Sequence, residues 1–272
     1  MQSNTNIADK KYRKLTISVS QQGFSYAITD TLNNRILMAD EIDFTGYARS
    51  SKVEDHYWKA FIDNRELTKM YDEIVVLHNN SLNTFVPKPL FDDEYAGSYL
   101  QYNTKVFETD FFATDAIENS DLINVYIPYV NINNYLIDQF GPFEYRHTAT
   151  VLVEKLLDLS RNIEDKQVYA HLSSGHFEIV VVQNRKLLLY NAFEYTTAAD
   201  FIYYLLFTAE QLQLNPEHFR LQLLGTVDVE SELFRLAYKY VRNVSLLDVS
   251  ELQRNNTMTE AQNLKNFILF QS

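Results

Sequence analysis

HLSSGHFEIVVV, residues 171–182, contains a tight turn followed by a strand. The turn-forming residues 173–175 separate a short strand, Val168–Leu172, from a mostly apolar strand, His176–Val182. The turn has the length of a loop that holds phosphate, but it contains a single glycine. The segment is therefore a ligand site, a decayed site or a simple hairpin, and the surrounding sequence has to decide which.

The residues after this hairpin extend it into a larger α/β pattern. Thr197, with Asp200 three residues later, is a capping signature that predicts a helix to about Leu214. The other predicted elements are a helix at 148–159, a strand at 186–191, a strand from 219, a helix at 229–241, a strand from 244 and an amphipathic helix from about 257. The second half of the chain therefore has the order βββαβαβ.

The first half gives the same order. Its predicted strands are 15–20, 24–29, 35–42, 73–79 and 121–128, and its predicted helices are 51–70, 92–102 and 132–140. Ser50 or Ser51 is the predicted cap of the first helix, and Gly141-Pro142 ends the last one. The chain thus repeats one arrangement of strands and helices.

Two local matches support the repeat. NRIL at 34–37 and NRKL at 184–187 each follow the second strand of a half, and Gly23 and Gly175 each close the first turn. Three antiparallel strands, extended by parallel strands through helical crossovers, make a mixed sheet with helices on both faces.

We therefore predict an α/β protein made of two tandem βββαβαβ halves with a cleft between them. The predicted lobes are residues 1–147 and 148–272. The last helix, 257–272, is predicted to pack back on the first lobe.

The composition excludes several classes of function. Lys plus Arg number 24 and Asp plus Glu number 36, so the net charge is −12, which disfavours nucleic acid and anionic lipid as partners. The absence of cysteine excludes disulfides, thiolate zinc sites and cysteine nucleophiles. No apolar run approaches the length of a membrane span, and MQSNTNIADKKYRKL at the N-terminus lacks a secretory apolar core. We expect a cytoplasmic protein without membrane insertion.

Two consecutive βββαβαβ halves resemble the actin, Hsp70 and sugar-kinase superfamily, which has an RNase H-like fold. The pattern is also similar to the degenerate actin-like ATPase folds of bacterial pilus and secretion assembly proteins, and to an uncharacterised bacterial family of this fold. The resemblance covers nearly the whole chain in architecture, whereas its motifs are fragmentary. It implies a nucleotide site in the cleft, where aspartates hold magnesium-bound water and glycines let backbone N–H groups reach phosphate.

The resemblance places the second phosphate loop at residues 171–178. In the superfamily this loop reads Asp-x-Gly-Gly-Gly-Thr-Phe-Asp. The positions that keep a matching residue are Gly175, Phe177 and Glu178. The positions that differ are His171 in place of the key Asp, Ser173 and Ser174 in place of two Gly, and His176 in place of Thr.

The first phosphate loop is further from the pattern. Its candidate residues are Ser18 at the Asp position, Ser20 at a Gly position, and then Gln21, Gln22 and Gly23. The Gly-Gly that packs on adenosine in the superfamily corresponds to LLGTV, where Gly225 and Thr226 remain.

These differences predict a decayed site. Without either aspartate there is no evident anchor for magnesium, and only six glycines occur in 272 residues. We expect no cofactor, weak or absent nucleotide binding and no hydrolysis, as in a pseudo-ATPase. Weak binding of another anion through the serines and backbone groups of the two loops stays open.

Other interpretations of the same residues have less support. His171 and His176 stand close enough across the turn to suggest a metal site, but no cysteine or third ligand accompanies them. Ser173 or Ser174 beside a histidine suggests a hydrolase nucleophile, but the Gly-x-Ser-x-Gly elbow is missing and turns favour serine in any case. A structural turn explains these residues better.

Aromatic clusters suggest a partner surface as an alternative to core packing. Tyr126 and Tyr129 lie in one cluster, and FIYYLLF at 201–207 forms another that is apolar almost all round. Burial in the core is the preferred interpretation of both.

The leading functional hypothesis is a non-catalytic actin-like protein that acts through an unidentified protein partner. The alternative is a divergent kinase- or ATPase-class protein that binds a nucleotide or phosphate ligand with a different set of residues. A third possibility is an assembly scaffold resembling the pilus proteins. Because this fold carries many functions, site chemistry rather than fold has to choose among them.

Overall fold

A computed structural model describes residues 10–47 and 51–272 of the chain. These residues form two compact units. The first contains the described residues up to Ala116, Ile123–Thr150 and Ser272, and the second contains Ile117–Leu122 and Val151–Gln271. Ser50, one of the two predicted helix caps, and the N-terminal residues 1–9 lie outside the described part. The lobe boundary between 147 and 148 and the docking of the last helix stay predictions.

The first unit is built on two sheets. In chain order its strands are β1 (Arg13–Val19), β2 (Gly23–Asp30), β3 (Arg35–Asp43), β4 (Glu73–His78), β5 (Asn83–Pro87), β6 (Ala113–Ala116), β7 (Leu122–Tyr126) and β8 (Glu144–His147). The larger sheet has the order β3-β2-β1-β4-β8, and the smaller has the order β5-β7-β6. β1 pairs antiparallel with β2 and parallel with β4, which is the mixed sheet that the pattern predicts.

Helices connect the strands of this unit. In chain order they are α1 (Val53–Asp63), α2 (Ala96–Leu100) and α3 (Val130–Phe140), and α4 (Thr148–Leu159) follows β8. The core side chains of β1, α1 and α3 are fully or almost fully buried; they include Leu15, Ile17, Val19, Tyr57, Phe61, Ile132 and Leu136. α2 packs on the smaller sheet instead.

The predicted bounds of the first helix are wrong at both ends. α1 begins at Val53 with Lys52 as its N-cap, whose backbone N–H donates to the Asp55 carboxylate at 3.1 Å, so Ser51 is not the cap. The helix does not reach residue 70. Asn64 accepts a hydrogen bond from the backbone N–H of Glu66, and this local bond starts a separate 3-10 turn in place of a further helical turn.

The predicted strand at 121–128 exists as β7, but it lies in the smaller sheet. The strand that completes the larger sheet is β8, whose residues Glu144 and Arg146 give it no apolar run to detect. Periodicity identifies a buried strand without saying which sheet it joins, which is why the assignment failed. With β5–β7 set aside as an insertion, the larger sheet keeps the βββαβαβ order.

The second unit repeats the larger sheet. Its strands are β9 (Gln167–Ser173), β10 (His176–Gln183), β11 (Lys186–Glu194), β12 (Arg220–Gly225) and β13 (Asn243–Leu246). Its helices after α4 are α5 (Ala198–Gln211), α6 (Glu232–Tyr240), α7 (Ser250–Arg254), α8 (Glu260–Lys265) and α9 (Phe267–Gln271). The sheet order β11-β10-β9-β12-β13 is the order of the first sheet, strand for strand. The prediction of an α/β fold with a repeated half is confirmed.

Helix α5 confirms one prediction made from the sequence and contradicts another. Thr197 and Asp200 form the predicted capping box. Phe201 is buried, but Tyr203 and Phe207 are exposed, so the segment 201–207 is not buried all round. Among the residues that the structure describes, no helix combines the length and the apolar character that a membrane span requires.

Candidate functional site

The turn of the second phosphate-loop segment consists of Ser174 and Gly175, which join β9 to β10. Gly175 has a φ of +77°, a left-handed conformation that glycine adopts without strain. Tyr195 holds the turn from the side: its backbone N–H donates to the carbonyl of Gly175 at 3.0 Å, and its hydroxyl donates to the carbonyl of Ser173 at 2.9 Å. Phe177 is fully buried in the core just after the turn. The hairpin is therefore a fixed part of the fold.

His171 and Glu178 face each other across β9 and β10. His171 Nδ1 lies 2.8 Å from Glu178 Oε2, and His176 Nε2 lies 3.9 Å from Glu178 Oε1. The side chains of His171 and Glu178 are only 12% and 9% exposed. His171, which the resemblance places at the position of the key aspartate, is therefore paired with Glu178. The carboxylate of Glu178 is thus occupied by a side chain of the same protein.

Gly225 and Thr226 lie beside β9. Gly225 ends β12 opposite Leu172, and its φ is +90°. A Cβ at this position would collide with the carbonyl oxygen of Leu172, and the backbone N–H of Thr226 donates to the same oxygen at 2.7 Å. The close approach of two strands is thus a sufficient reason for glycine here. The structure brings His171, Gly225 and Thr226 together at the carboxyl ends of β9 and β12.

The exposed tip of this hairpin keeps two backbone donors. Within residues 10–47 and 51–272, the N–H groups of Ser174 and Gly175 have no hydrogen-bond acceptor. Both residues are exposed, so an anion at the tip would compete with water for these donors. Such a site can hold an anion weakly, but it supplies no charge of its own.

The first phosphate-loop segment is closed on itself. The hydroxyl of Ser20 donates to the carbonyl of Gly23 at 2.8 Å and accepts from the backbone N–H of Gln22 at 3.2 Å. The N–H of Ser20 donates to the same carbonyl at 3.0 Å. Gln21 is exposed at the tip, and Ser18 lies on β1 between Ser25 of β2 and Leu77 of β4. Two donors that would face a phosphate are therefore used inside the turn.

The side chain of Tyr57 on α1 also holds this turn, and the sequence did not indicate this contact. Its hydroxyl donates to the carbonyl of Ser20 at 2.9 Å and lies 3.2 Å from the N–H of the same residue. Burial raises the pKa of Tyr57 well above its ordinary value, so the hydroxyl stays protonated. Helical spacing marks Tyr57 as a core residue, whereas its hydrogen bond to a turn 37 residues away leaves no local signal.

The two loops contain no assembled metal site. Within the described residues, no group of three or more His, Asp or Glu side chains is arranged to hold a metal ion. His171 and His176 both approach Glu178 rather than a common open position. The groups that these two loops could present to a ligand are serine hydroxyls and turn N–H groups, which form hydrogen bonds.

A buried polar cluster in the first unit was missed by sequence reasoning. Asp115 Oδ2 accepts from the backbone N–H of His147 at 2.8 Å and from the hydroxyl of Thr150 at 2.6 Å, and Oδ1 accepts from the hydroxyl of Tyr126 at 3.1 Å. Asn124 donates to the Thr150 hydroxyl at 2.9 Å. Burial raises the pKa of Asp115, while these hydrogen bonds act in the opposite direction. The cluster ties β6, β7 and β8 to the start of α4.

His78 lies at the carboxyl end of β4, next to this cluster. Its Nδ1 accepts from the backbone N–H of Tyr129 at 3.1 Å, so the ring proton belongs on Nε2. Nε2 of His78 and Oδ1 of Asn133 are buried without a hydrogen-bond partner in the described residues. Burial lowers the pKa of His78 to about 4, and its interaction with Asn133 opposes that change. The ring is therefore neutral at neutral pH.

Several solved structures resemble this chain over nearly its whole length. A Bacteroides thetaiotaomicron protein with this fold and unknown function has a TM-score of 0.81 at 22% identity, over 98% of both chains. The PilM-PilN type IV pilus biogenesis complex gives 0.59 at 12% identity, over 94% of this chain and 96% of that one. The cytoplasmic domain of EpsL, an inner membrane component of the type II secretion system of Vibrio cholerae, gives 0.51 at 13%, over 96% and 95%. The predicted actin-like fold is confirmed.

Sequence comparison leads to a family rather than to an activity. No curated protein matches this chain at a significant level. A family model described as "Protein of unknown function (DUF3822)" matches residues 2–244, which is most of the chain. The chain therefore belongs to the family of proteins of unknown function DUF3822, whose member here has an actin-like ATPase fold.

Proposed function

We propose that this protein is a non-catalytic member of the actin-like fold that acts through contacts with another protein. The observation that carries the proposal is the pairing of His171 with Glu178 at the place where the superfamily has its key aspartate. A histidine at this position does not supply the carboxylate oxygens that Mg²⁺ prefers as ligands. The acid that remains is already occupied.

The other loop and the charge of the chain support the same proposal. Ser20 and Gln22 use their N–H groups within the turn, so fewer donors are available to phosphate. A net charge of −12 opposes the approach of a polyanionic nucleotide unless a local cation compensates. Neither loop segment, 18–23 or 171–178, contains Lys or Arg.

The fold itself is compatible with a role in assembly. PilM is a component of a pilus biogenesis complex and EpsL of a secretion system, and both share the architecture at low sequence identity. A fold that works in such complexes needs no catalysis to be useful. This parallel favours an interaction or scaffold role.

Isothermal titration calorimetry with Mg-ATP tests the decayed-site part of the proposal. We expect no binding with a dissociation constant below about 1 mM, which corresponds to about −4 kcal/mol. The same titration with inorganic phosphate measures the contribution of the turn donors alone. A micromolar dissociation constant for Mg-ATP would contradict the proposal.

One observation favours a second candidate function, a divergent anion- or nucleotide-binding protein. The N–H groups of Ser174 and Gly175 donate no hydrogen bond within the described residues, and the nearly buried His171 lies beside the same turn. This candidate predicts that Ser173→Ala and His171→Ala weaken ligand binding without changing thermal stability in the case of Ser173. If the variants alter only stability, or nothing, the candidate has no support.

A further inference from the structure

A shallow groove of about 260 Å³ lies on the first unit, between α2 and the chain segment that leads into β6. We call it the α2 groove. The side chains that form its walls and rim are Glu94, Tyr95, Val106, Phe107, Glu108 and Phe112. It is separate from the two phosphate-loop segments, and none of the residues in the candidate site contributes to it.

Gly97 and Phe112 shape the floor of the groove. The ring of Phe112 lies directly against Gly97, where an added Cβ would be 2.8 Å from Cζ of the ring. Phe112 also packs on the core that α2 forms with the smaller sheet. The glycine thus lets the end of the Phe112 ring approach the first turn of α2, which places an apolar group in the lining of the groove.

Aromatic rings on the walls are exposed, and the backbone that carries one of them is fixed. Tyr95 is 59% exposed and Phe107 is 54% exposed. The backbone of Phe107 is fixed by Asp110, whose carboxylate accepts from the N–H of Phe107 at 2.8 Å and whose own N–H donates to the carbonyl of Phe107 at 3.1 Å. Exposed aromatic side chains on an ordered turn are enriched at protein interfaces.

The rim of the groove carries unneutralised negative charge. Glu94 and Glu108 form neither an ion pair nor a side-chain hydrogen bond within the part of the chain that the structure describes. Asp92 and Asp110 differ, because their carboxylates accept backbone hydrogen bonds that build the two turns. One face of the Phe107 ring is covered by the chain's own Lys105, whose Nζ lies 4.9 Å from the centre of the ring.

We propose that the α2 groove binds a basic segment of a partner protein, with a Lys or Arg side chain between Glu94 and Glu108 and its stem against the aromatic rings. Charge complementarity selects this occupant. A second copy of the chain would bring like charges together, since each copy carries a net charge of −12. This inference rests on the proposed interaction function and names the chemistry of the partner.

Fluorescence anisotropy with a short labelled peptide of alternating arginine and leucine tests the proposal. The wild-type protein is expected to bind it, and a peptide with glutamate in place of arginine is expected not to bind. Glu94→Gln together with Glu108→Gln should weaken binding about fivefold, because two rim charges that contribute modestly are removed. Phe107→Ala should weaken it by a similar factor, because the stem of the bound side chain loses an aromatic ring to pack against.

A matched control separates the groove from general electrostatic attraction. Glu217→Gln together with Glu230→Gln removes the same charge from exposed positions of the second unit. This double variant should change the dissociation constant less than about twofold. Absence of binding by the wild-type protein, or equal weakening in both double variants, overturns the proposal.

The outcome is independent of the nucleotide experiment. Calorimetry with Mg-ATP reports on the phosphate loops, none of whose residues lines the α2 groove. Tight Mg-ATP binding would therefore contradict the decayed-site proposal, but it would not change the interpretation of the peptide titration. A failed peptide titration would remove the groove proposal and leave the calorimetric result standing.

Discussion

His171 and Glu178 are directly opposite each other on β9 and β10, with His171 Nδ1 2.8 Å from Glu178 Oε2. The two side chains are nearly buried, so this pair interacts in an environment with less screening than the surface. At the same place the superfamily pattern has an aspartate that works on magnesium-bound water. His171, which the resemblance places at that position, makes an internal contact with Glu178 here.

The first prediction concerns the stability of this pair. His171→Ala should lower the free energy of unfolding by about 2 kcal/mol, because it leaves the buried Glu178 carboxylate without its short contact. Glu178→Gln keeps the shape and an acceptor, so we expect a loss of about 1 kcal/mol. Urea unfolding of both single variants and the double variant gives the coupling energy. Additive losses would show that the two side chains do not interact.

The second prediction separates two left-handed glycines. Gly225→Ala should destabilise the protein by about 3 kcal/mol, because it adds a collision with the carbonyl of Leu172 to the cost of a φ of +90°. Gly175→Ala should cost only about 1 kcal/mol, since its φ is +77° and no atom lies within 4 Å of the new Cβ. Thermal and urea unfolding compare the two. Equal losses would mean that backbone conformation alone, not strand packing, requires glycine at 225.

Local sequence signals predicted the parts of the fold that local physics determines. The Thr197–Asp200 box and the glycine-closed hairpins are set within a few residues, and the structure contains them. The sheet that β7 joins is decided by long-range pairing, and 121–128 was placed in the wrong sheet for that reason. The four-residue strand β8 is polar enough that no periodicity marks it.

The candidate site shows the same division. The turn at Ser174-Gly175 fixes the register of β9 and β10, so the contact between His171 and Glu178 follows from counting outward from the turn. A pairing of His171 with His176 does not predict this contact, because those two residues are not opposite each other on the strands. The Asp115 cluster joins residues 11 to 35 positions apart, and no motif in the sequence connects them.

The third prediction concerns the hydroxyl of Tyr57 that holds the first turn. Tyr57→Phe should cost about 1 kcal/mol, because the partly buried carbonyl of Ser20 loses its donor while the ring packing is kept. Tyr135→Phe is the matched control. Its hydroxyl is buried without a partner among the described residues, so its removal should be neutral or slightly stabilising. Chemical unfolding measures the free energy of unfolding of both variants. Equal losses in the two variants would contradict a specific role for the Tyr57 hydroxyl.

The fourth prediction concerns the pH dependence that His78 confers. Its pKa falls from 6.5 to about 4 in the folded protein, chiefly because burial disfavours the charged ring. The folded state therefore binds the proton less readily than the unfolded state. The stability from the neutral ring is complete above pH 6.5 and is lost as the pH falls towards 4, by about 3 kcal/mol.

His78→Asn removes this titration and keeps an acceptor for the backbone N–H of Tyr129. We expect the wild-type protein to lose more stability than the variant between pH 7 and pH 4.5, as measured by urea unfolding at both values. The raised pKa of Asp115 increases the stability of the folded state as the pH falls through the acidic part of this range, which is opposite to the effect of His78. Asp115 is present in both proteins, so its contribution cancels in the comparison. The same loss in both proteins would show that His78 titrates normally, and hence that its ring is reached by water in the folded state.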